Sequence, residues 1–358
     1  MSVKMHIPGV NDLTHKNKSR FPLDQWYVAA LARELVDKPL GRVLLNNPVV
    51  MFRDGEGQVH ALEDRCCHRA LPLSSGTVEN AGIRCGYHGM LYDGTGQCIE
   101  VPGQKNIPSS AKVKRYPIQE KDGLIWMWFG HNPEAEPSHE APDYPVHNNE
   151  EYIWDGDVFH YDAPYQLIHD NLLDLSHLGY VHLRTIGGDA NTHMNAEMQT
   201  SPKGNYVKVV RHMPNSMPPP TYTAAYPFTG RIDRWQEIEF LPSHLKIWTG
   251  AVDAGSDDLN DPLRGGFHMR GFHGVTPETD TSAHYIWTMA TNPKKDPAAT
   301  LKKVVEQTAF TFEEDKIVIE DQYNNMLKFG NPRMLSIHVD TGANLARNIV
   351  EKLRNINA

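Results

Sequence analysis

The sequence predicts an α+β chain in which an all-β unit is followed by a larger unit that combines helices with an antiparallel sheet. Three observations carry the prediction. From Phe21 to about Phe129, short apolar runs are separated by glycine and asparagine turns. Residues 131–149 then hold four prolines and almost nothing apolar, which marks a boundary. Beyond them, strand-like runs share the chain with two amphipathic stretches of helical period, 301–327 and 341–353.

Taken in order, residues 1–20 read as a polar tail, 21–135 as the first domain, 136–150 as a proline-rich linker and 151–358 as the second domain. In the first domain, 43–45, 49–52, 59–62 and 124–129 are strands by length and composition. In the second, a helix is expected over 165–183 and strands at 207–211, 236–240, 245–249 and 284–290. The helix over 301–327 runs into Gly330-Asn331-Pro332, a strong stop. Segment 213–220, MPNSMPPP, reads as a proline-rich loop and 253–265 as a polar one.

Composition narrows the function. With 358 residues, 40% hydrophobic and 22% charged, the chain can build a sizeable core and is neither disordered nor collagen-like. A formal charge of −9, with no Lys/Arg-rich block, argues against nucleic-acid binding. No apolar run approaches the roughly 18 residues of a membrane-spanning helix. The N-terminal segment lacks the apolar centre of an export signal, so a cytoplasmic location is expected, with no membrane partner. Four cysteines make a poor disulfide scaffold and suit a metal site better; nineteen histidines are a high count.

Cys66-x-His68, sixteen intervening residues, then Cys85-x-x-His88 offers two thiolates and two imidazoles from two loops, a set for a soft or borderline metal. One reading is a structural zinc site, although zinc fingers place two Cys on one side and two His on the other. Another is unrelated core cysteines beside exposed histidines. The interleaved order favours a third, a [2Fe–2S] cluster in which each loop gives one ligand to each iron. Gly86, Gly89, Gly94 and Gly96 read as the tight backbone that lets peptide N–H groups approach. Cys67 and Cys98 are left over by spacing and read as small buried apolar residues.

A second constellation is NLLDLSHLGYVH, residues 171–182. Asp174 and His177 share a helical face. His177 and His182 are five apart, about 140° on a regular helix, and reach one metal only if the helix breaks between them. Gly179 lies where such a break is expected. The alternative is a polar helix with two ordinary histidines. A carboxylate would complete the facial triad that leaves positions open on Fe(II). In the helix over 301–327 the inward seam can be written Leu301, Val305, Thr308, Phe312, Asp315, Ile319, Gln322, Met326. Asp315 falls on it and Glu314 and Asp321 fall off it, although Ile317 and Val318 widen the stripe and leave the phase open.

These motifs carry a family resemblance. CxH, the gap, CxxH and the following GMLYDGTGQCIEVPGQ resemble the cluster segment of Rieske non-haem iron oxygenases. NLLDLSHLGYVH resembles that family's mononuclear-iron motif, and EEDKIVIEDQ the segment that supplies its third ligand. FPLDQWYVAA, LVDKPLGR, DRWQEIEF, GVTPETDTSAHYIW and MLSIHVDTGANLARNIVEKL are similar to the vanillate O-demethylase-type branch, to which dicamba demethylase is related. The resemblance extends over nearly the whole chain after residue 20; the tail has no functional reading.

The resemblance implies a Rieske domain followed by a helix-grip-like catalytic domain. It implies Cys66, His68, Cys85 and His88 as ligands of the [2Fe–2S] cluster, and His177, His182 and Asp315 as ligands of mononuclear Fe(II), with O2 as co-substrate. Asp174 resembles the bridging aspartate that meets His68 or His88 of a neighbouring subunit in a ring-shaped homotrimer, and that orients His177 or His182. Asn171 reads as polar support near the iron or, equally, as helix surface. With no GxGxxG in the chain, and GEGQVH at 55–60 a turn, electrons are expected from a separate reductase carrying flavin and a [2Fe–2S] centre.

The implied reaction is O-demethylation of a methoxylated aromatic acid. The alternatives are another aromatic acid, a sulfonate or an N-methyl compound, and, from other classes, a Rieske electron carrier or a zinc-stabilised binding protein. The substrate pocket is expected in the second domain, beneath the loops 213–220 and 253–265. His212, Arg231, Arg234, His244, His268, Arg270 and His273 are candidates to hold a carboxylate. Each reads first as surface or strand-flanking, and none is assigned. Trp126, Trp128 and Trp248 read as core.

Overall fold

Ten strands build the first of two units, Leu23–Asp143 with Thr276–Asp280, in the computed structural model, which describes residues 19–294 and 296–355. The polar tail expected at 1–20 lies outside the described residues up to residue 18. The strands are β1 Gln25–Leu31, β2 Leu40–Leu44, β3 Asn47–Arg53, β4 Val59–Glu63, β5 Thr77–Glu79, β6 Gly82–Arg84, β7 Leu91–Tyr92, β8 Cys98–Glu100, β9 Ile118–Lys121 and β10 Leu124–Phe129. They form three small sheets, β1-β10-β9, β2-β3-β4 and β5-β6-β7-β8. The run LIWMWF of β10 is buried at every position, which is why it shows no alternation. β2 stops at Leu44 because Leu45 and Asn46 both take positive φ in the turn to β3.

Among the described residues, the second unit comprises Tyr144–Val275 and those after Asp280, together with those before Leu23. Its strands are β11 Ile153–Tyr161, β12 Glu197–Lys203, β13 Tyr206–Ser216, β14 Ile232–Leu241, β15 His244–Asp253, β16 Phe267–Thr279 and β17 Ser282–Thr291. They form one antiparallel sheet in the order β11-β17-β16-β15-β14-β13-β12. Its helices are α1 Tyr165–Leu173, α2 Leu178–Val181, α3 Ala190–Met194, α4 Pro220–Ala225, α5 Pro297–Lys328 and α6 Thr341–Arg354. α5 packs on β11 and β17, α6 on β12 and β13, and α1 on both helices. Arg347 of α6 pairs with Asp170 of α1.

Three expectations need correction. The stretch 213–220 is not one loop: β13 continues through Ser216, bulging between Met213 and Ser216, and α4 starts at Pro220. The proline signal belongs to the helix start, where a missing N–H costs nothing. The helix expected over 165–183 breaks at Asp174 (φ −118°, ψ 91°) and not at Gly179, which lies inside α2. A Cβ on Gly179 would stand 2.3 Å from Ala190 Cα, so the glycine permits close approach of α3. Finally, the buried seam of α5 is Val304, Thr308, Thr311, Phe312, Asp315, Ile319, Tyr323 and Met326. Gln322 faces solvent and Val305 is only half-buried, while Ile317 and Val318 are exposed, which fixes the phase that the sequence left open.

Candidate metal centres and active site

Two matching turns bring the first constellation together. In each, the N–H of the cysteine donates to the carbonyl five residues on: Cys66 to Leu71 (2.9 Å) and Cys85 to Met90 (2.8 Å). The cysteine carbonyl accepts from the residue four on, Ala70 (3.0 Å) and Gly89 (3.2 Å), both at positive φ. The sulfurs of Cys66 and Cys85 are buried in mutual hydrogen-bond contact, while His68 and His88 are exposed with ring centroids 4.5 Å apart. Backbone amides of His68 and Arg69 point at the Cys66 sulfur, and those of Tyr87 and His88 at Cys85. Burial opposes ionisation of Cys66, yet the Tyr92 hydroxyl and these amides draw its pKa below the ordinary thiol value.

The donor set fits a cluster with one iron held by buried thiolates and the other by outward imidazoles. Cys67 is half-buried and shares the Tyr92 hydroxyl with Cys66, each sulfur 3.2 Å from it; Cys98 is buried. The reading of four glycines at the cluster narrows to Gly86 and Gly89. Gly94 instead gives way to the His60 ring and Gly96 to the Val113 carbonyl.

The break at Asp174 arranges the second constellation. Asp174 Oδ1 accepts from Ser176 N (2.9 Å) and starts the 3-10 turn Leu175–His177. Its main-chain carbonyl thereby lies 2.5 Å from His177 Nδ1, so the backbone of Asp174, not its carboxylate, orients that ring. His182 sits just past α2 at φ −106°, ψ 43°, and its ring stands 5.3 Å from that of His177. Asp315 Oδ1 is 3.4 Å from His177 Nε2 and 3.1 Å from His182 Nε2, and one donor atom from each of the three residues falls within 4.8 Å of the others.

Two further residues hold this triangle. Glu314 Oε2 accepts from His182 Nδ1 at 2.9 Å, which leaves Nε2 directed inward. Asn171 Nδ2 donates to Asp315 Oδ1 at 2.9 Å, so the surface alternative for Asn171 is set aside. Glu314 is the partner that sequence reasoning missed: it lies off the buried stripe of α5, and its signal was only its adjacency to Asp315. Burial opposes a charged Asp315, but His177 and His182 hold its carboxyl well below the usual carboxylate range. Burial likewise opposes a charged His182, and Asp315 and Glu314 outweigh it and raise the pKa. His177 Nε2 is buried without a hydrogen-bond partner among the described residues. An orphaned imidazole nitrogen beside a buried carboxylate fits a cation at the centre, and the donor set suits Fe(II) with open positions.

This triangle borders a cavity of about 60 Å³ between the helices and the sheet. Leu172, Leu175, Leu178, Ile247, Met289 and Phe312 give it apolar walls. Gly271 leaves room for the ring of His273, which lines the cavity, since a Cβ there would stand 2.5 Å from His273 Nε2. The loops 213–220 and 253–265 contribute no lining residue, contrary to expectation. Of the seven basic candidates, only Arg234 and His273 line the cavity. His244 and His268 are buried elsewhere, and Trp248 is sandwiched between Arg264 and Arg270. A second groove of about 460 Å³ shares Asn171 and His177 and adds Asp174, Asp340 and Arg347.

Comparison with known proteins agrees with this anatomy. The Rieske [2Fe–2S] domain family matches residues 25–117, and the vanillate O-demethylase oxygenase C-terminal domain matches residues 161–355. The toluene-4-sulfonate monooxygenase system iron–sulfur subunit TsaM1 of Comamonas testosteroni is 34% identical, over 92% of this chain and 95% of that protein. The vanillate O-demethylase oxygenase subunit of Pseudomonas sp. strain HR199 is also 34% identical, over 93% and 95%. The crystal structure of dicamba monooxygenase bound to dicamba superposes with a TM-score of 0.84 at 32% identity, covering 93% of this chain and 98% of that one. Among the described residues no helix is long and apolar enough to cross a membrane. The chain therefore belongs to the Rieske non-haem iron oxygenases of the vanillate O-demethylase type, monooxygenases that use a Rieske [2Fe–2S] cluster, mononuclear iron and O2.

Proposed function

We propose that this chain is the oxygenase component that removes the methyl group of a methoxylated aromatic acid, drawing electrons from a separate NADH-dependent reductase. The observation that carries the reading is the His177–His182–Asp315 triangle opening on a cavity with apolar walls. In this reading Cys66, His68, Cys85 and His88 hold the cluster, and His177, His182 and Asp315 hold the iron. Residues 21–135 then serve as the electron-accepting domain, 136–150 as the linker and 151–358 as the catalytic domain.

When bound, the cluster supplies a stored electron and the iron a site for dioxygen activation. The chain's own residues do the rest. Asn171 and Glu314 fix the Asp315 carboxylate and the His182 ring, and the Asp174 carbonyl fixes His177. The walls around Leu172, Leu175 and Phe312 exclude water and hold the aromatic ring near the triangle. Hydroxylation of the methyl carbon consumes O2, two electrons and two protons and releases water. The resulting hemiacetal collapses to a phenol and formaldehyde.

The groove that contains Asp174 and His177 supports a trimer in which the exposed His68 or His88 of a neighbouring chain meets Asp174. The test is product analysis with iron-loaded protein, NADH, a vanillate-type reductase and a panel of methoxy-, methyl- and unsubstituted aromatic acids. Stoichiometric formaldehyde from a methoxylated acid is expected. Hydroxylated product without formaldehyde from every acid would overturn the demethylase reading.

A further inference from the structure

Strand β14 alternates, and its inward face runs Ile232, Arg234, Gln236, Ile238, Phe240. A guanidinium and an amide therefore stand where the pattern calls for aliphatic side chains. Arg234 is 3% exposed and Gln236 fully buried, and both line the cavity beside the iron triangle.

Their donors are largely unused. Arg234 Nη2 donates to the Ile186 carbonyl at 3.0 Å, and the guanidinium lies over the Tyr222 ring. Its Nε has no hydrogen-bond partner among the described residues. Its Nη1 is 3.5 Å from His193 Nε2, but that nitrogen contacts the Gly187 carbonyl. A carbonyl only accepts, so His193 Nε2 carries a proton and cannot accept from Arg234. Gln236 Oε1 accepts from Arg211 Nη1 at 3.0 Å, which fixes the amide and leaves Nε2 a buried donor without a partner. Arg211, behind Gln236, adds a second positive charge. Among the described residues no carboxylate pairs with Arg234, and the one carboxylate lining the cavity, Asp315, belongs to the iron triangle. This end of the cavity holds unused donors and positive charge with no carboxylate to match, a state that a bound anion would complete.

We propose that Arg234, with Gln236 Nε2, binds the anionic group of the substrate and selects aromatic oxyanions, carboxylates or sulfonates, over their uncharged counterparts. The anion at Arg234 turns the far end of the ring, with its methyl or methoxy carbon, toward His177 and Asp315. This rests on the reading of the same cavity as an aromatic-substrate site.

The experiment is calorimetric binding to the iron-loaded full-length protein. The probes are 4-methoxybenzoate, 4-methylbenzenesulfonate and the corresponding carboxamide and sulfonamide. Wild type is expected to bind an anion about 10- to 100-fold more tightly than its amide, the range of a charge-assisted hydrogen bond. Arg234→Gln removes that preference while leaving amide affinity within about twofold, and Arg234→Lys restores part of it. In turnover the loss falls on KM more than on kcat. Whichever anion binds more tightly identifies the oxyanion class. Equal anion preference in wild type and Arg234→Gln, or equal weakening of anion and amide, overturns the proposal. If Arg234→Gln does not fold, Gln236→Leu must still weaken the anion selectively, and failure to do so overturns it as well. A wild type that binds none of the four probes sinks the aromatic-substrate reading itself; anion and amide bound alike sinks only the role of Arg234.

Discussion

Glu314 offers a way to perturb the iron site without touching a proposed ligand. Its Oε2 lies 2.9 Å from Nδ1 of His182, a ring with no exposed surface. The contact fixes which nitrogen carries the proton and turns Nε2 toward Asp315. Loss of such an outer partner lowers metal affinity about 10- to 100-fold, which corresponds to about 1.4–2.8 kcal/mol. Glu314→Gln keeps an acceptor oxygen and loses the charge, so it should fall near the lower end. Glu314→Leu loses both and should approach the upper end. The assay is competition for Fe(II) against a chelator, with absorbance of the Rieske cluster as internal standard. Weakened iron binding with an unchanged cluster spectrum is the expected result. Iron affinity equal to wild type in Glu314→Leu would refute the claim that Glu314 orients His182.

Two other predictions follow the same logic. The Tyr92 hydroxyl lies 3.2 Å from the Cys66 sulfur, so Tyr92→Phe should lower the cluster's reduction potential by roughly 30–100 mV. Potentiometric titration checks it, and an unchanged or higher potential would contradict the donor role. Gly179→Ala puts a Cβ 2.3 Å from Ala190 Cα, so it should cost about 1–3 kcal/mol and lower Tm by several degrees. An unshifted Tm would mean that α3 moves away freely.

What the sequence could convey depended on the range of the signal. The Cys66–His88 motif is local, two turns and the strand between them, and its spacing already limits the chemistry. Asp315 was legible because a carboxylate on an apolar stripe stands out; the neighbouring phase became certain only when Ile317 and Val318 proved exposed. The break at Asp174 was misplaced because glycine attracts attention as a breaker, whereas here an aspartate ends α1 by hydrogen-bonding Ser176. Arg234 shows the opposite case. The alternation Arg234, Gln236, Ile238, Phe240 was present in DRWQEIEF, yet it became informative only once α1 and α5 were known to close over that face. Glu314 and Asn171 act across more than a hundred residues of chain, a separation at which no local pattern reports contact.

The central claim is that oxygen chemistry takes place at the His177–His182–Asp315 site with an electron stored in the Rieske domain. A single-turnover experiment under isotopically labelled dioxygen tests it most directly, using cluster-loaded, chemically reduced wild type and Asp315→Asn with an aromatic acid. Wild type should oxidise its cluster in step with the transfer of one labelled oxygen atom to the acid. Asp315→Asn should retain a reducible cluster, bind little iron and form no labelled product. Labelled product at wild-type yield from Asp315→Asn would contradict the account.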